Sequence, residues 1–210
     1  FTLNDLILNP TTPDVYENFN EIYNFLSSKK LISSESLNFF EKCLLKNGNF
    51  KKKNNKVFYT LKKDCKLSRQ VIFLLMNLAK LKKQKIFRIC MHIDDKLKTH
   101  EMLMMHIKPI SVGPLKQAKN FLSYHIIEGE MLIRIFDNKG KEINKYMLSN
   151  HNGFKSLRLK ADKFRKIITK SSFAIFLEIT NGPFKDSDTI WLNNKSKIRI
   201  QKDYASILNL

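Results

Sequence analysis

No apolar run in this sequence is long enough to cross a membrane as a helix. The longest, VIFLLMNLA (Val71 to Ala79), is about half of the roughly 18–20 residues that a bilayer requires. It follows Ser68, a cap-forming residue, and reads as a buried helix. Cysteine is scarce. Cys43, Cys65 and Cys90 are widely spaced, odd in number and free of any CxxC pair. That excludes a disulfide framework or a zinc knuckle and points to a reducing, cytoplasmic compartment. The opening FTLNDLILNP lacks the basic start and small-residue cleavage site of a secretion signal. Walker loops, GxGxxG, GxSxG, HExxH and HxH are all missing, which removes the common phosphate-cradling, nucleophile-elbow and zinc-protease chemistries.

What is present is a globular composition. The chain has 210 residues, is 43% hydrophobic and carries 16 Phe, enough for one sizeable core or a domain with an extension. The formal charge is +19 and is unevenly placed: residues 1–28 hold four acidic groups and no Lys or Arg. From Lys42 to Arg88 there are 15 basic residues against one acidic, Asp64. Such a stretch attracts phosphate-rich partners, among them nucleic acid, anionic lipid and sugar nucleotides. Lys greatly outnumbers Arg, however, and dedicated phosphate sites favour the Arg fork. A merely compositional excess of Lys therefore stands beside the functional reading.

Along the chain, Thr12 or Asp14 caps a helix whose apolar face is Val15, Phe19, Ile22 and Phe25 or Leu26. A second helix starts at Ser33 or Ser34, buries Leu37, Phe40 and Leu44, and ends at Asn47-Gly48. NFKKKNNK reads as a basic linker, Val57 to Leu61 as a strand, and Ser68 to about Lys82 as a third helix. After Lys85 the pattern changes to short strand-like runs: IFRICMHI, HEMLMMHI, FLSYHII, EMLIRIF, EINKYML, FKSLRL, KFRKIIT and FAIFLEI. Turns such as DNKG and SNHNG separate them, which predicts a mainly β sandwich or barrel.

Five strings in this region occur in a telling order. They are R-I-C-M-H (Arg88, Cys90, His92), H-E-M-L (His100 to Leu103), S-Y-H-I-I-E-G-E (Ser123 to Glu130), I-F-D-N-K-G (Ile135 to Gly140) and F-L-E-I-T-N-G-P-F (Phe176 to Phe184). Together they resemble the WbuC-type cupins, small β-barrel proteins associated with bacterial surface-polysaccharide gene clusters. The resemblance implies a cupin jelly-roll barrel at about 86–200 within a domain of 57–210, preceded by a helical extension of 1–56. It also implies a metal held by three histidines and a glutamate. Here the corresponding positions carry Leu115, Gln117, Leu122 and Arg165. Two leucines, an amide and a guanidinium do not ligate a divalent cation, so no metal and no other cofactor is expected.

Around the expected barrel mouth stand Lys116, Gln117, Tyr124, His125 and Arg165, with Arg88, His92, His100 and Glu101 as further candidates. Lys116, Gln117, His125, Arg165, Arg88 and His92 are the predicted ligand-binding set, with Arg165 offering a fork to phosphate or carboxylate. The competing reading has Arg165 reaching out to solvent while Leu115 and Leu122 fill the core. His125 and Tyr124 are the catalytic candidates, by analogy with metal-free cupins that isomerise or epimerise nucleotide-linked sugars. Adjacent strand residues point to opposite faces, so only one of these two can reach the interior. His100 and His106 share a strand face that Glu101 does not.

Three functions follow. The favoured one is a degenerate, non-catalytic cupin that binds an anionic small molecule (phosphate or nucleotide sugar) or a protein partner, linked to surface-polysaccharide biosynthesis, with monomer and homodimer both left open by the sequence. The second is a metal-independent isomerase or epimerase on nucleotide sugars. The third is a basic component of a nucleic-acid or multiprotein assembly, acting through residues 42–88.

Overall fold

The computed structural model describes residues 34–82, 84–107, 110–118 and 121–192. The expected first helix, Val15 to Leu26 with its cap at Thr12 or Asp14, lies outside the described residues. Contacts divide the chain into two compact units, Phe1–Phe87 and Arg88–Leu210.

In the first unit, helix α1 (Ser34–Gly48) is followed by strands β1 (Phe50–Asn54) and β2 (Val57–Thr60) and by helix α2 (Arg69–Leu81). Phe40 and Leu44 on α1 are fully buried, as the helical spacing required. The helix ends at Asn47-Gly48, and Asn49 takes the left-handed conformation with φ 51°, which asparagine tolerates better than most residues. Ser68 caps α2: its Oγ accepts from the Val71 amide at 3.2 Å. Val71 and the run Phe73 to Ala79 are buried.

The basic run expected as a linker is instead the first arm of a hairpin. Phe50 pairs with Thr60, Lys51 with Tyr59 and Lys52 with Phe58. The turn is closed by the Asn54 side chain, whose Oδ1 accepts from the Lys56 amide at 2.9 Å. Polarity misled the sequence reading here: Phe50 anchors the strand, while the lysines on it stay exposed.

The second unit is almost wholly β. It contains most of β3 (Ile86–Cys90), then β4 (Thr99–Ile107), β5 (Ser111–Gln117), β6 (Leu122–Phe136), β7 (Glu142–Ser149), β8 (Ser156–Leu159), β9 (Phe164–Asn181) and β10 (Thr189–Trp191). Strands β6 and β9 are long and pair antiparallel along nearly their whole length. The late half of β9 also pairs with β4, and the early half of β6 with β8. The early half of β9 pairs with β5, and the late half of β6 with β7. Strand β10 adds to β5, and β3 lies next to β4.

The result is two sheets, β3-β4-β9-β6-β8 and β10-β5-β9-β6-β7, that share β6 and β9 as bent common members. This is the double-stranded β-helix of the cupin-type jelly roll, the mainly β class expected from the sequence. The expected pairs FLSYHII/EMLIRIF and KFRKIIT/FAIFLEI are each one strand. Bulges between Ile126 and Glu128 and between Gly129 and Met131 bend β6 from one sheet into the other. In sequence these bends look like turns because the alternation breaks there.

Directly paired residues share a sheet face. One face of the first sheet therefore carries Met102, Met104 and His106 with Glu178, Phe176 and Ala174, and beside them Leu122, Tyr124 and Ile126. In the second sheet Met131, Ile133 and Ile135 lie with Thr169, Ile167 and Arg165. Side chains of these two sets meet, as described next, so they line the interior. No described helix is long and apolar enough to cross a membrane.

Candidate functional site: a buried guanidinium between two sheets

Arg165 sits near the start of β9 in the second sheet, paired with Leu115 on one side and Ile135 on the other. It is only 4% exposed. Its Nε donates to the Tyr124 hydroxyl on the first sheet at 2.7 Å, and its NH2 donates to Oε1 of Gln117 on β5 at 3.2 Å. NH1 is buried without a hydrogen-bond partner. Among the described residues no carboxylate forms an ion pair with this guanidinium; the ion pairs there are Lys52–Glu41, Lys82–Glu41 and Arg134–Glu142. The expectation that Arg165 reaches out to solvent does not hold, because the strand directs the side chain inward where Tyr124 meets it.

Tyr124 is fully buried. Burial pushes its phenol well above the ordinary value, the Arg165 charge opposes that shift, and the Glu178 charge adds to it. The phenol therefore stays protonated at neutral pH and acts as a neutral hydrogen-bonding group. Its ring packs edge-on to Phe176 at 5.9 Å, and Phe176 packs edge-on to His106 at 5.0 Å.

His106 is 2% exposed, and its Nδ1 has no partner. Burial, with the nearby Arg88 charge, pushes its pKa down to about 3, so the ring is neutral. Arg88 is half-buried, and its Nε is also buried without a partner. A row thus crosses the interior from Gln117 through Arg165, Tyr124, Phe176 and His106 to Arg88.

Of the residues expected at the site, the row gathers Gln117, Tyr124, Arg165 and Arg88. Lys116, His125 and His92, with His100 and Glu101 beside the last, lie apart from it. Lys116, next to Gln117 on the strand, points the other way, over the Phe164 ring at 4.6 Å with Nζ donating to Asn138 Oδ1 at 3.1 Å. His125 is half-buried on the face opposite Tyr124, paired with Ser156 and Leu177. His92, beyond the end of β3, stacks on His100 with ring centres 4.1 Å apart, and its Nδ1 faces the Glu101 carbonyl at 3.1 Å. Burial, the His100 ring and Arg88 lower its pKa, against an opposing pull from the Glu101 carbonyl and Asp95.

His106 and Phe176 were not expected at the site. Their signal was present in the two-residue period of HEMLMMHI and FAIFLEI, which puts them on the same face as Met104 and Ala174.

The four positions at which the cupin resemblance implied metal ligands do not fit a cation. Arg165 is a fixed positive charge, Gln117 is committed to it, and Leu115 and Leu122 offer no donor atom. Among the described residues no group of three or more His, Cys, Asp or Glu is arranged to hold a metal.

No family model matches the chain, and no curated protein matches it. Several solved structures are similar at low identity. CapF, the capsular polysaccharide assembling protein from Staphylococcus aureus, is 14% identical over 51% of this chain and 31% of its own, with a TM-score of 0.43. Oxalate decarboxylase from Bacillus subtilis is 19% identical over 46% of this chain and 24% of its own, with a TM-score of 0.38. A cupin superfamily protein from Desulfitobacterium hafniense is 20% identical over 47% of this chain and 78% of its own, with a TM-score of 0.37. The match takes in less than a third of CapF and a smaller part of the decarboxylase. The jelly-roll assignment rests on the strand pairing given above.

Proposed function

We propose that the second unit is a non-catalytic cupin barrel that binds an anionic small molecule through Arg165. One observation carries this reading: a buried guanidinium is held by Tyr124 and Gln117, forms no ion pair with a carboxylate among the described residues, and has NH1 left over. An isolated buried charge is costly by several kcal/mol, and an incoming carboxylate or phosphate oxygen offsets that cost with a charge-assisted hydrogen bond. Tyr124 and Gln117 orient the fork by occupying Nε and NH2, so NH1 is the group presented to the ligand. The motifs shared with WbuC-type cupins support placing that ligand in bacterial surface-polysaccharide biosynthesis, and the three widely spaced cysteines, odd in number and without a CxxC pair, fit a reducing, cytoplasmic setting.

Geometry supports binding over isomerase or epimerase chemistry. The His125–Tyr124 pair is split across the sheet, and the Tyr124 phenol is held protonated rather than poised as a base. The test is calorimetric titration with inorganic phosphate, acetate and a nucleotide-sugar panel, on the wild type and on Arg165→Met. Saturable binding that disappears in Arg165→Met is the expected result. Absence of binding to every anion, or binding unchanged in the variant, overturns the reading.

A further inference from the structure

The interior holds a second set of unsatisfied groups, beyond Phe176 from Arg165. His106 Nδ1 and Arg88 Nε are both buried without partners, and His106 is itself almost wholly enclosed. Buried polar atoms are nearly always hydrogen-bonded, so each orphan calls for a partner. Ser111 Oγ and Thr169 Oγ1 are also without partners, and the other three orphans fall at the ends of one row: Arg165 NH1 at one end, His106 Nδ1 and Arg88 Nε at the other. Between them lies the Phe176 ring, 5.9 Å from Tyr124 and 5.0 Å from His106, so the Tyr124 and His106 rings are within about 11 Å of each other. The flanking interior positions are mixed: Met102 and Met104 with the carboxylate of Glu178 on the same face, Met131 and Ile133 with Thr169 on the facing sheet. Methionine adapts its shape to what packs on it.

Resting on the anion-binding reading above, we propose that the ligand is two-headed, an elongated dicarboxylate whose first carboxylate meets Arg165 NH1 and whose second is held by Arg88 and His106. The apolar middle of the ligand lies against Phe176 and the methionines. A carboxylate suits each end. The first offers one unengaged terminal nitrogen rather than a cage of donors, and the second pairs one guanidinium with one imidazole N–H. Both heads are thus matched by one positive charge apiece, and neither end provides the additional donors that a phosphate dianion takes up.

The experiment titrates the wild-type chain with the α,ω-dicarboxylates from succinate to sebacate and with monocarboxylates of matched length, following the His106 imidazole resonances by NMR and affinity by calorimetry. His106→Gln assigns the resonance. One dicarboxylate length is expected to bind at least tenfold more tightly than its matched monocarboxylate and to shift the His106 signals, which the monocarboxylate leaves in place. Arg88→Met is expected to reduce the dicarboxylate to the affinity of the monocarboxylate while leaving the latter unchanged; Arg165→Met abolishes both. Should Arg88→Met not fold, the His106 resonances of the wild type decide the matter. Equal affinity for mono- and dicarboxylate with unmoved His106 signals overturns the second head and leaves the Arg165 reading standing. No carboxylate binding at all overturns the dicarboxylate, and the phosphate and nucleotide-sugar titrations then decide the Arg165 reading by themselves.

Discussion

Tyr124 and Arg165 tie the two sheets of the barrel together through a single hydrogen bond of 2.7 Å, buried at both ends. The two partners are not equivalent in energy. Tyr124→Phe removes the acceptor and leaves Arg165 Nε unsatisfied in the interior, which costs about 1–3 kcal/mol. Arg165→Met removes the buried charge itself, which offsets the cost of leaving the Tyr124 hydroxyl without its partner, and is expected to cost less than Tyr124→Phe. Urea denaturation of the two single variants and the double variant measures this. The expected result is a large loss for Tyr124→Phe alone that shrinks once Arg165 is already Met. Equal, additive losses would mean that the guanidinium is an ordinary structural group.

In the first unit a carboxylate does the reverse and unites two cations. Glu41 on α1 pairs with Lys52 on β1 at 2.6 Å and with Lys82 just past α2. Burial raises the Glu41 carboxyl, but hydrogen bonds from Lys52 and Lys82 outweigh it and hold the pKa below the ordinary value. The Lys82 side chain is 7% exposed and that of Lys52 35%, so the Glu41–Lys82 pair carries most of the energy. Glu41→Gln is expected to destabilise by about 2 kcal/mol, because it strands a nearly buried ammonium, whereas Lys52→Met costs less than about 1 kcal/mol. Thermal denaturation of the two variants gives the order. A larger loss for Lys52→Met would reverse it.

The period-two runs after Lys85 made the β class legible, and FLSYHII and EMLIRIF together covered β6, though as two strands rather than one. Alternation also showed that only one of Tyr124 and His125 could face inward. It could not say which, since that depends on which sheet face the other sheet covers. The inward course of Arg165 was equally hidden: its partners Tyr124 and Gln117 lie 41 and 48 positions away in sequence, and only the shared bent strands bring them together. The lysines of NFKKKNNK hid a strand for a simpler reason. One anchoring ring, Phe50, was enough to hold it against VFYT.

Gly129 marks the point at which β6 leaves one sheet for the other. Its φ is +80°, and a Cβ placed there would lie 2.2 Å from the Phe173 carbonyl oxygen. The backbone conformation alone costs a non-glycine residue about 1–3 kcal/mol, and the contact is with main chain, which does not swing aside. Gly129→Ala is therefore expected to lower the urea midpoint sharply, whereas Gly140→Ala, also at positive φ but with its nearest contact at 3.3 Å on the flexible Leu192 side chain, is the milder change. Equal midpoints for the two variants would show that the crossing tolerates a side chain and that the bend of β6 is not fixed by this residue.

Acid should unfold the barrel through its enclosed imidazoles. His106 faces Arg88 and the Phe176 edge, and its folded pKa is held down to about 3 by burial first and the Arg88 charge second. In the unfolded chain the same ring takes a proton near its ordinary value of about 6.5. The unfolded state therefore binds more protons below that value. The stability that the neutral ring confers is complete above about pH 6.5 and declines by about 1.4 kcal/mol per unit as the pH falls toward 3. His92, shifted in the same direction by burial, by His100 and by Arg88, adds to the decline. Urea denaturation at pH 7.5 and pH 5 should differ by about 2 kcal/mol from His106 alone, and His106→Gln, which does not titrate, should flatten that part of the slope. A wild-type stability unchanged between the two pH values would mean that water reaches the His106 ring, and the closed interior row would then be wrong at that end.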